Sequence, residues 1–199
     1  GRPPVATARA MRPAIPACGA VRRARLKAGE RCAVFGCGGL GLYAVQIASR
    51  LGAHVLAVDR DPAKLEAARR FGAAETEIAD AALPQRLAEK TEKQHVCINF
   101  APTTATWEAI VAAIRPRGRI IAAAMVFQPV PLVQEWLTAT GVTITGTSVG
   151  TREGMRELVA IHAKQPLEAA LEIIALEDVS TALATLEAGE AKGRFVIRF

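Results

Sequence analysis

The sequence predicts an α/β fold built on a doubly wound, six-stranded parallel sheet, and three observations lead there. Strand-like and helix-like segments alternate along the body of the chain. The strand-like segments are near-continuous apolar runs, the pattern of strands covered on both faces. The first of them, Cys32-Ala-Val-Phe, enters the glycine turn Gly36-Cys-Gly38-Gly39-Leu-Gly41, and the next, Val55-Leu-Ala-Val, ends on Asp59.

Each element has its own signal. The first strand spans about 31–36, and a helix over 40–51 places Leu40, Ala44, Ile47, Ala48 and Leu51 on one face before Gly52 stops it. The second strand, 54–59, meets Asp61-Pro62, an N-cap acid and an N1 proline that open a helix through Arg70. A short third strand near 75–79, a weak helix over 81–92 interrupted by Pro84, and a fourth strand from His95 to Phe100 follow. Thr104 is placed to cap a helix carrying Trp107, Ile110, Val111 and Ile114, with the tryptophan read as a packing residue. Pro116-Arg-Gly118 turns into a central strand over Arg119 to Ala124, a helix covers about 131–140, and the sixth strand covers 142–147. Thr151 caps a helix to about Lys164, which Pro166 ends. The tail reads as a short helix–strand segment: an Asp178-capped helix ending at Gly189, then a strand from Arg194 to Phe199. Residues 28–165 thus form the domain, 166–199 a C-terminal segment, and 1–27 an N-terminal arm.

Strand, glycine turn, helix and acidic strand end in this order form the fingerprint of a dinucleotide-binding Rossmann βαβ unit. Gly36 lets the chain leave the strand, Gly38 bares the backbone to a pyrophosphate, and Gly41 seats the helix against the sheet. The helix starting near Leu40 aims its N-terminal amides at the phosphates. Asp59 is placed to accept ribose hydroxyls and to repel a 2′-phosphate, which predicts NAD over NADP. A turn and an acid alone also suit an S-adenosylmethionine-binding methyltransferase fold, or a glycine-rich loop without a ligand.

The net charge of +6 is unevenly placed. Residues 1–27 hold seven basic side chains and no acid, leaving the rest with 18 basic against 19 acidic residues. A nucleic-acid-binding face across the body is therefore not expected. The Arg/Ala/Pro-rich leader has no serine and no apolar signal core, and is read as a poorly ordered arm, with a targeting role as its rival. No uncharged apolar run approaches the roughly twenty residues of a membrane span. The four cysteines, Cys18, Cys32, Cys37 and Cys97, form no C-x-x-C pair, which favours reduced thiols and a cytoplasmic setting. His54, His95 and His162 stand apart from one another and are read as structural or surface residues.

Ala28 to Gln46 with its glycine turn, Val58-Asp59, Lys64, Gly146-Thr-Ser-Val-Gly-Thr-Arg152 and Gly193-Arg194-Phe-Val196 together resemble the zinc-dependent alcohol dehydrogenases of the medium-chain dehydrogenase/reductase superfamily. The resemblance runs from about residue 26 to the C-terminus, and several separated motifs in one order favour it over the methyltransferase fold. It implies that Gly36, Gly38, Gly39, Leu40 and Gly41 form the pyrophosphate turn. It implies that Asp59, Arg60 and Lys64 stand at the adenosine ribose and that Arg194 reaches the pyrophosphate. The cofactor implied is NAD. In the family, zinc polarises the alcohol whose hydride goes to the nicotinamide, the metal is held mainly by an N-terminal catalytic domain, and the C-terminal segment returns to that domain. No counterpart of those ligands is read here; the segment around Cys18 resembles that of the third zinc ligand only faintly and is too short. The strand ending Ile121-Ala-Ala-Ala124 departs from the family's usual glycine after the fifth strand, and a side chain there would narrow the pocket at the nicotinamide. The expectation is the NAD-binding portion of an alcohol dehydrogenase-like enzyme, inactive alone. A non-catalytic nucleotide-binding or assembly module, self-pairing as a homodimer through the sixth-strand edge, is the alternative.

Overall fold

In the computed structural model, which describes residues 14–148, 150–168, 171–191 and 194–198, the apolar runs assemble into one parallel sheet. Its strands are β1 (Arg31–Phe35), β2 (His54–Asp59), β3 (Glu75–Ile78), β4 (Gln94–Asn99), β5 (Ile114–Ala122) and β6 (Thr143–Gly146), in the order β3-β2-β1-β4-β5-β6. All five pairings are parallel. The six-stranded doubly wound sheet expected from the sequence is the one observed.

Because side chains alternate across a strand, each strand feeds both faces. Cys32, Val34, Val55, Ala57, Val96 and Ile98 enter one core, and Ala33, Phe35, Leu56, Val58, Cys97 and Ile120 the other. The first core is covered by α1 (Ala14–Arg23), α2 (Gly41–Arg50), α3 (Pro62–Arg70) and α7 (Arg152–Lys164); the second by α4 (Leu83–Glu89), α5 (Thr106–Ala113) and α6 (Gln134–Thr140). Asp61 caps α3 by accepting from Ala63 N–H at 2.8 Å, and Thr151 caps α7 by accepting from Gly154 N–H at 3.1 Å. Thr104 does not cap α5: its N-cap is Ala105, whose N–H bonds Thr103 Oγ1 at 3.3 Å. Trp107 is buried in the second core and donates its indole N–H to Pro131 O at 2.6 Å.

Within residues 1–27, helix α1 packs against the sheet domain. Residues 1–13 lie outside the described residues, but Ala14, Ala17, Cys18, Ala20 and Val21 are fully covered, at 2% exposure or less. Cys18 donates its thiol to Gly154 O at 3.8 Å, and Arg22 pairs with Glu157 at 2.8 Å and Glu153 at 3.4 Å on α7. Pro16 is tolerated because it falls in the first turn, where no intrahelical N–H bond is lost.

Two strand boundaries also differ. Strand β5 begins at Ile114 rather than 119, pairing Ile114 with Gln94 before a register shift that resumes at Arg119 opposite Val96. The tail holds an extra strand, β7 (Leu171–Ile174), ahead of α8 (Val179–Glu187) and β8 (Arg194–Ile197), and β7 and β8 make a separate two-stranded parallel sheet. Phe199 lies outside the described residues. Asp178 sits at the N-cap of α8 without capping it; its carboxylate accepts from Ala175 N–H at 3.4 Å.

Each histidine ties strand or loop ends together. His54 lies 2.7 Å from Glu75 Oε1, His95 accepts from Arg31 N–H at 3.1 Å, and His162 accepts from Leu167 N–H at 3.0 Å. Glu75 also pairs with Arg31 and Lys90, and the bond from Lys90 above all pulls its carboxyl down to about 2. Among the described residues, no helix is long and apolar enough to cross a membrane.

Candidate functional site

The strand order reverses direction of growth between β1 and β4, and α/β sheets open their ligand crevice at that point, outside the carboxyl ends of the strands. A groove of about 1370 Å³ lies there. Its floor is the turn after β1, which brings Gly36, Gly38, Gly39, Leu40 and Gly41 together, with Asp59, Arg60 and Lys64 on one side. Phe100 to Ala109 from the β4–α5 connection and Ala123 to Met125 after β5 form the other side.

The turn's shape dictates its glycines. Gly36 has φ of +89°, and a Cβ there would lie 2.8 Å from Ala101 N. A Cβ on Gly41 would lie 1.8 Å from Gly36 O. Gly38 is different in kind: a Cβ on it would meet nothing within 4 Å, so here the absent side chain leaves bare backbone open to the groove. Leu40, the N-cap of α2, makes no side-chain capping bond. Of the first amides of that helix, Leu42 N–H donates to Gly38 O and Tyr43 N–H to Leu40 O, both at 3.1 Å, and this end of the helix carries the positive end of its dipole.

Asp59 is largely buried, yet it lines the groove. Its Oδ2 accepts from Cys37 N–H at 2.7 Å and its Oδ1 from Asp61 N–H at 3.0 Å. A carboxylate has about four acceptor positions, so two backbone bonds fix its direction and leave acceptor capacity over. Cys37 is buried beneath it, donating its thiol to Val58 O at 3.7 Å. Burial first, and the Asp59 charge second, push that thiol up to about 12, which keeps it protonated and unreactive.

The basic residues have partners the sequence did not foretell. Lys64, largely buried, donates to Gly189 O at 3.0 Å, and the exposed Arg60 donates through Nη2 to Ala188 O at 3.2 Å. Both carbonyls lie just past the last turn of α8, and Leu186, Glu187 and Gly189 form part of the groove wall. Arg194, at the start of β8, lies against the glycine turn: a Cβ on Gly39 would meet its Cγ at 3.0 Å. Burial pushes the Tyr43 hydroxyl up, and the nearby Arg194 charge opposes that shift. Eight of the nine sequence-predicted residues therefore line one groove, and the ninth, Arg194, lies against its glycine turn. The residues missed, Thr103 to Thr106, Met125 and the end of α8, are those that only the crossing of distant segments brings in; the topological rule for β4 could have pointed to the first group.

A profile of the family described as zinc-binding dehydrogenases matches residues 39–164. The chain belongs to this family. An alcohol dehydrogenase of Geobacillus stearothermophilus is 31% identical over 175 residues, covering 86% of this chain and 51% of that protein. The alcohol dehydrogenase of the archaeon Aeropyrum pernix superposes with a TM-score of 0.87 at 27% identity, over 94% of this chain and 56% of the other. Acetophenone reductase from Geotrichum candidum, solved in complex with NAD, shares the fold with a TM-score of 0.88 at 23% identity, over 98% and 56% of the two chains. The chain spans about half the length of the curated relatives it matches.

Proposed function

We propose that this chain is the NAD-binding portion of a zinc-type, alcohol dehydrogenase-like oxidoreductase. The observation that carries the reading is the conjunction, at one switch point, of open backbone at Gly38 and the pinned carboxylate of Asp59. These residues fit a nicotinamide dinucleotide. The turn amides and the N-terminus of α2 hold the diphosphate, Arg194 offers its forked donors to the same oxygens, and Asp59 accepts the adenosine ribose hydroxyls. Lys64, with three donor protons, serves the ribose while keeping Gly189 O. When bound, the dinucleotide supplies the hydride acceptor or donor, and the chain supplies its orientation. Ala124 keeps its N–H on Asn99 O at 2.8 Å and stands at the groove wall, where its methyl narrows the space for a nicotinamide ring.

The described residues do not fit a zinc site. No group of three or more His, Cys, Asp or Glu among them is placed to hold a metal ion, and Cys18 is buried on Gly154. The test is a fluorescence titration of the purified chain with NADH, with circular dichroism to verify folding. Saturable binding is expected, and a folded chain that binds no NADH overturns the proposal. NAD reduction with a panel of alcohols, with and without added zinc, is expected to be negligible for this chain alone.

An assembly role has one observation in its favour. Strand β6 is the edge of the sheet, pairing with β5 alone among the described residues, and Thr143 and Gly146 are exposed. Edge strands present unpaired backbone groups to a second chain. Light scattering should give twice the 21.0 kDa chain mass if two copies join there. A single-chain mass, with and without NADH, removes this reading.

A further inference from the structure

We propose that the C-terminal segment is a strap slung across the nucleotide groove, and that Arg60 is a positioning residue that holds the strap rather than a ligand of the nucleotide. The ligand half of this inference rests on the dinucleotide-binding reading; the strap itself does not.

The segment is fastened at its start to the body of α2, and at the end of α8 to the β2–α3 connection and the first turn of α3 beside the groove. At the near end, buried Gln46 of α2 donates to Glu168 O and accepts from Glu168 N–H, both at 2.9 Å. One turn further along the same helix, Arg50 donates to Gln165 O and Pro166 O, both at 2.7 Å. At the far end, Arg60 and Lys64 hold the carbonyls of Ala188 and Gly189. Those carbonyls lie just past the last turn of α8, where C=O groups lack helical partners and the dipole is negative, so cations are favoured there.

Beyond Leu167, buried in the first core where the strap begins, little else holds it down. Ala182 is the one buried residue described in α8, while Leu171, Ile173, Leu176, Leu183 and Leu186 are exposed. An element with few buried apolar contacts belongs to the low-stability end of a structure, and its attachment depends on its polar clamps. The fit at the far clamp is tight: a Cβ on Gly189 would lie 2.3 Å from Arg60 Nη2.

The strap carries Arg194 on β8 to the glycine turn. Its docked position and the strength of the diphosphate site are therefore linked, and linkage is reciprocal: a ligand that bonds Arg194 tightens the strap, and loosening the strap weakens the ligand. Arg60 acts on the ligand through this path.

The experiment uses the full chain and ADP-ribose, which carries the adenosine, diphosphate and ribose without nicotinamide. Hydrogen exchange is followed over residues 179–189, and affinity by calorimetry, for the native chain, Arg60→Gln, Arg60→Lys, Arg194→Gln and the Arg60→Gln/Arg194→Gln double variant. Without ligand, Arg60→Gln is expected to speed exchange in α8 about tenfold, and Arg60→Lys to restore most of the protection. ADP-ribose is expected to slow that exchange in the native chain. Arg60→Gln and Arg194→Gln should each weaken ADP-ribose about tenfold, with the double variant no weaker than Arg194→Gln alone. Unchanged α8 exchange in Arg60→Gln overturns the strap. Losses that multiply in the double variant overturn the path through Arg194 and return Arg60 to direct contact. A native chain that ignores ADP-ribose while Arg60→Gln still loosens α8 sinks the dinucleotide reading and leaves the strap standing.

Discussion

Gly41→Ala is expected to lower stability by roughly 3 kcal/mol, at the upper end of ordinary overpacking costs, because the clash is with backbone. The added methyl would lie 1.8 Å from Gly36 O and 2.8 Å from Gly36 C, so the turn must open for it to fit. Gly38→Ala, three residues away, should do the opposite. Its methyl meets nothing within 4 Å, and Gly38 does not sit at positive φ, so alanine is compatible with the native backbone. Stability should stay within about 1 kcal/mol of native and can rise, since alanine restricts the unfolded chain. That methyl stands on the surface assigned to the diphosphate, however, and NADH affinity should drop at least tenfold, or about 1.4 kcal/mol. Urea melts followed by circular dichroism, paired with NADH titrations, separate the two glycines. A Gly38→Ala variant that binds NADH like the native chain would show that the diphosphate does not rest on this backbone.

The contrast between these glycines marks how far the sequence could be read. Spacing alone placed the turn, because a glycine's task in a βαβ unit is local: the strand before it and the helix after it are written within about thirty residues. Asp59 was legible for the same reason, as the end of an apolar run. That its carboxylate is pinned by Cys37 N–H depends on how β1 and β2 lie side by side, and no periodicity carries that. Helix α1 was hidden by composition. Ala14, Ala17, Cys18 and Val21 do recur at helical spacing, but the prolines and arginines around them outweighed a stripe made mostly of alanine. Strand β7 was hidden by distance, since Leu171–Ile174 is mostly exposed and becomes a strand only by pairing with Arg194–Ile197 across an intervening helix. The same non-locality concealed the partners of Arg60 and Lys64, carbonyl oxygens 128 and 125 residues along the chain. Local chemistry named the basic side chains, and only the fold revealed what they hold.

Asp59→Ala should combine a structural loss with a change of ligand preference, and Asp59→Asn should separate them. Alanine leaves the buried N–H of Cys37 without an acceptor, a loss of about 1–3 kcal/mol. It also removes the ribose acceptor, and a hydrogen bond to a charged group is worth about 1.5–3 kcal/mol, so NADH affinity should fall tenfold or more. NADPH should suffer less, because the charge that opposes a 2′-phosphate is gone with the acceptor. Asparagine keeps one carbonyl oxygen for Cys37 N–H, leaves the half-buried Asp61 N–H without its acceptor and discards the charge. It should therefore lose about 1 kcal/mol of stability, less than alanine, while its NADH-over-NADPH preference shrinks about tenfold. Parallel titrations of both dinucleotides against the native chain and both variants provide the readout. If Asp59→Asn keeps the native preference, the carboxylate serves only to brace the turn, and selection of the unphosphorylated ribose must come from the walls that α8 and the β3–α4 connection raise around it.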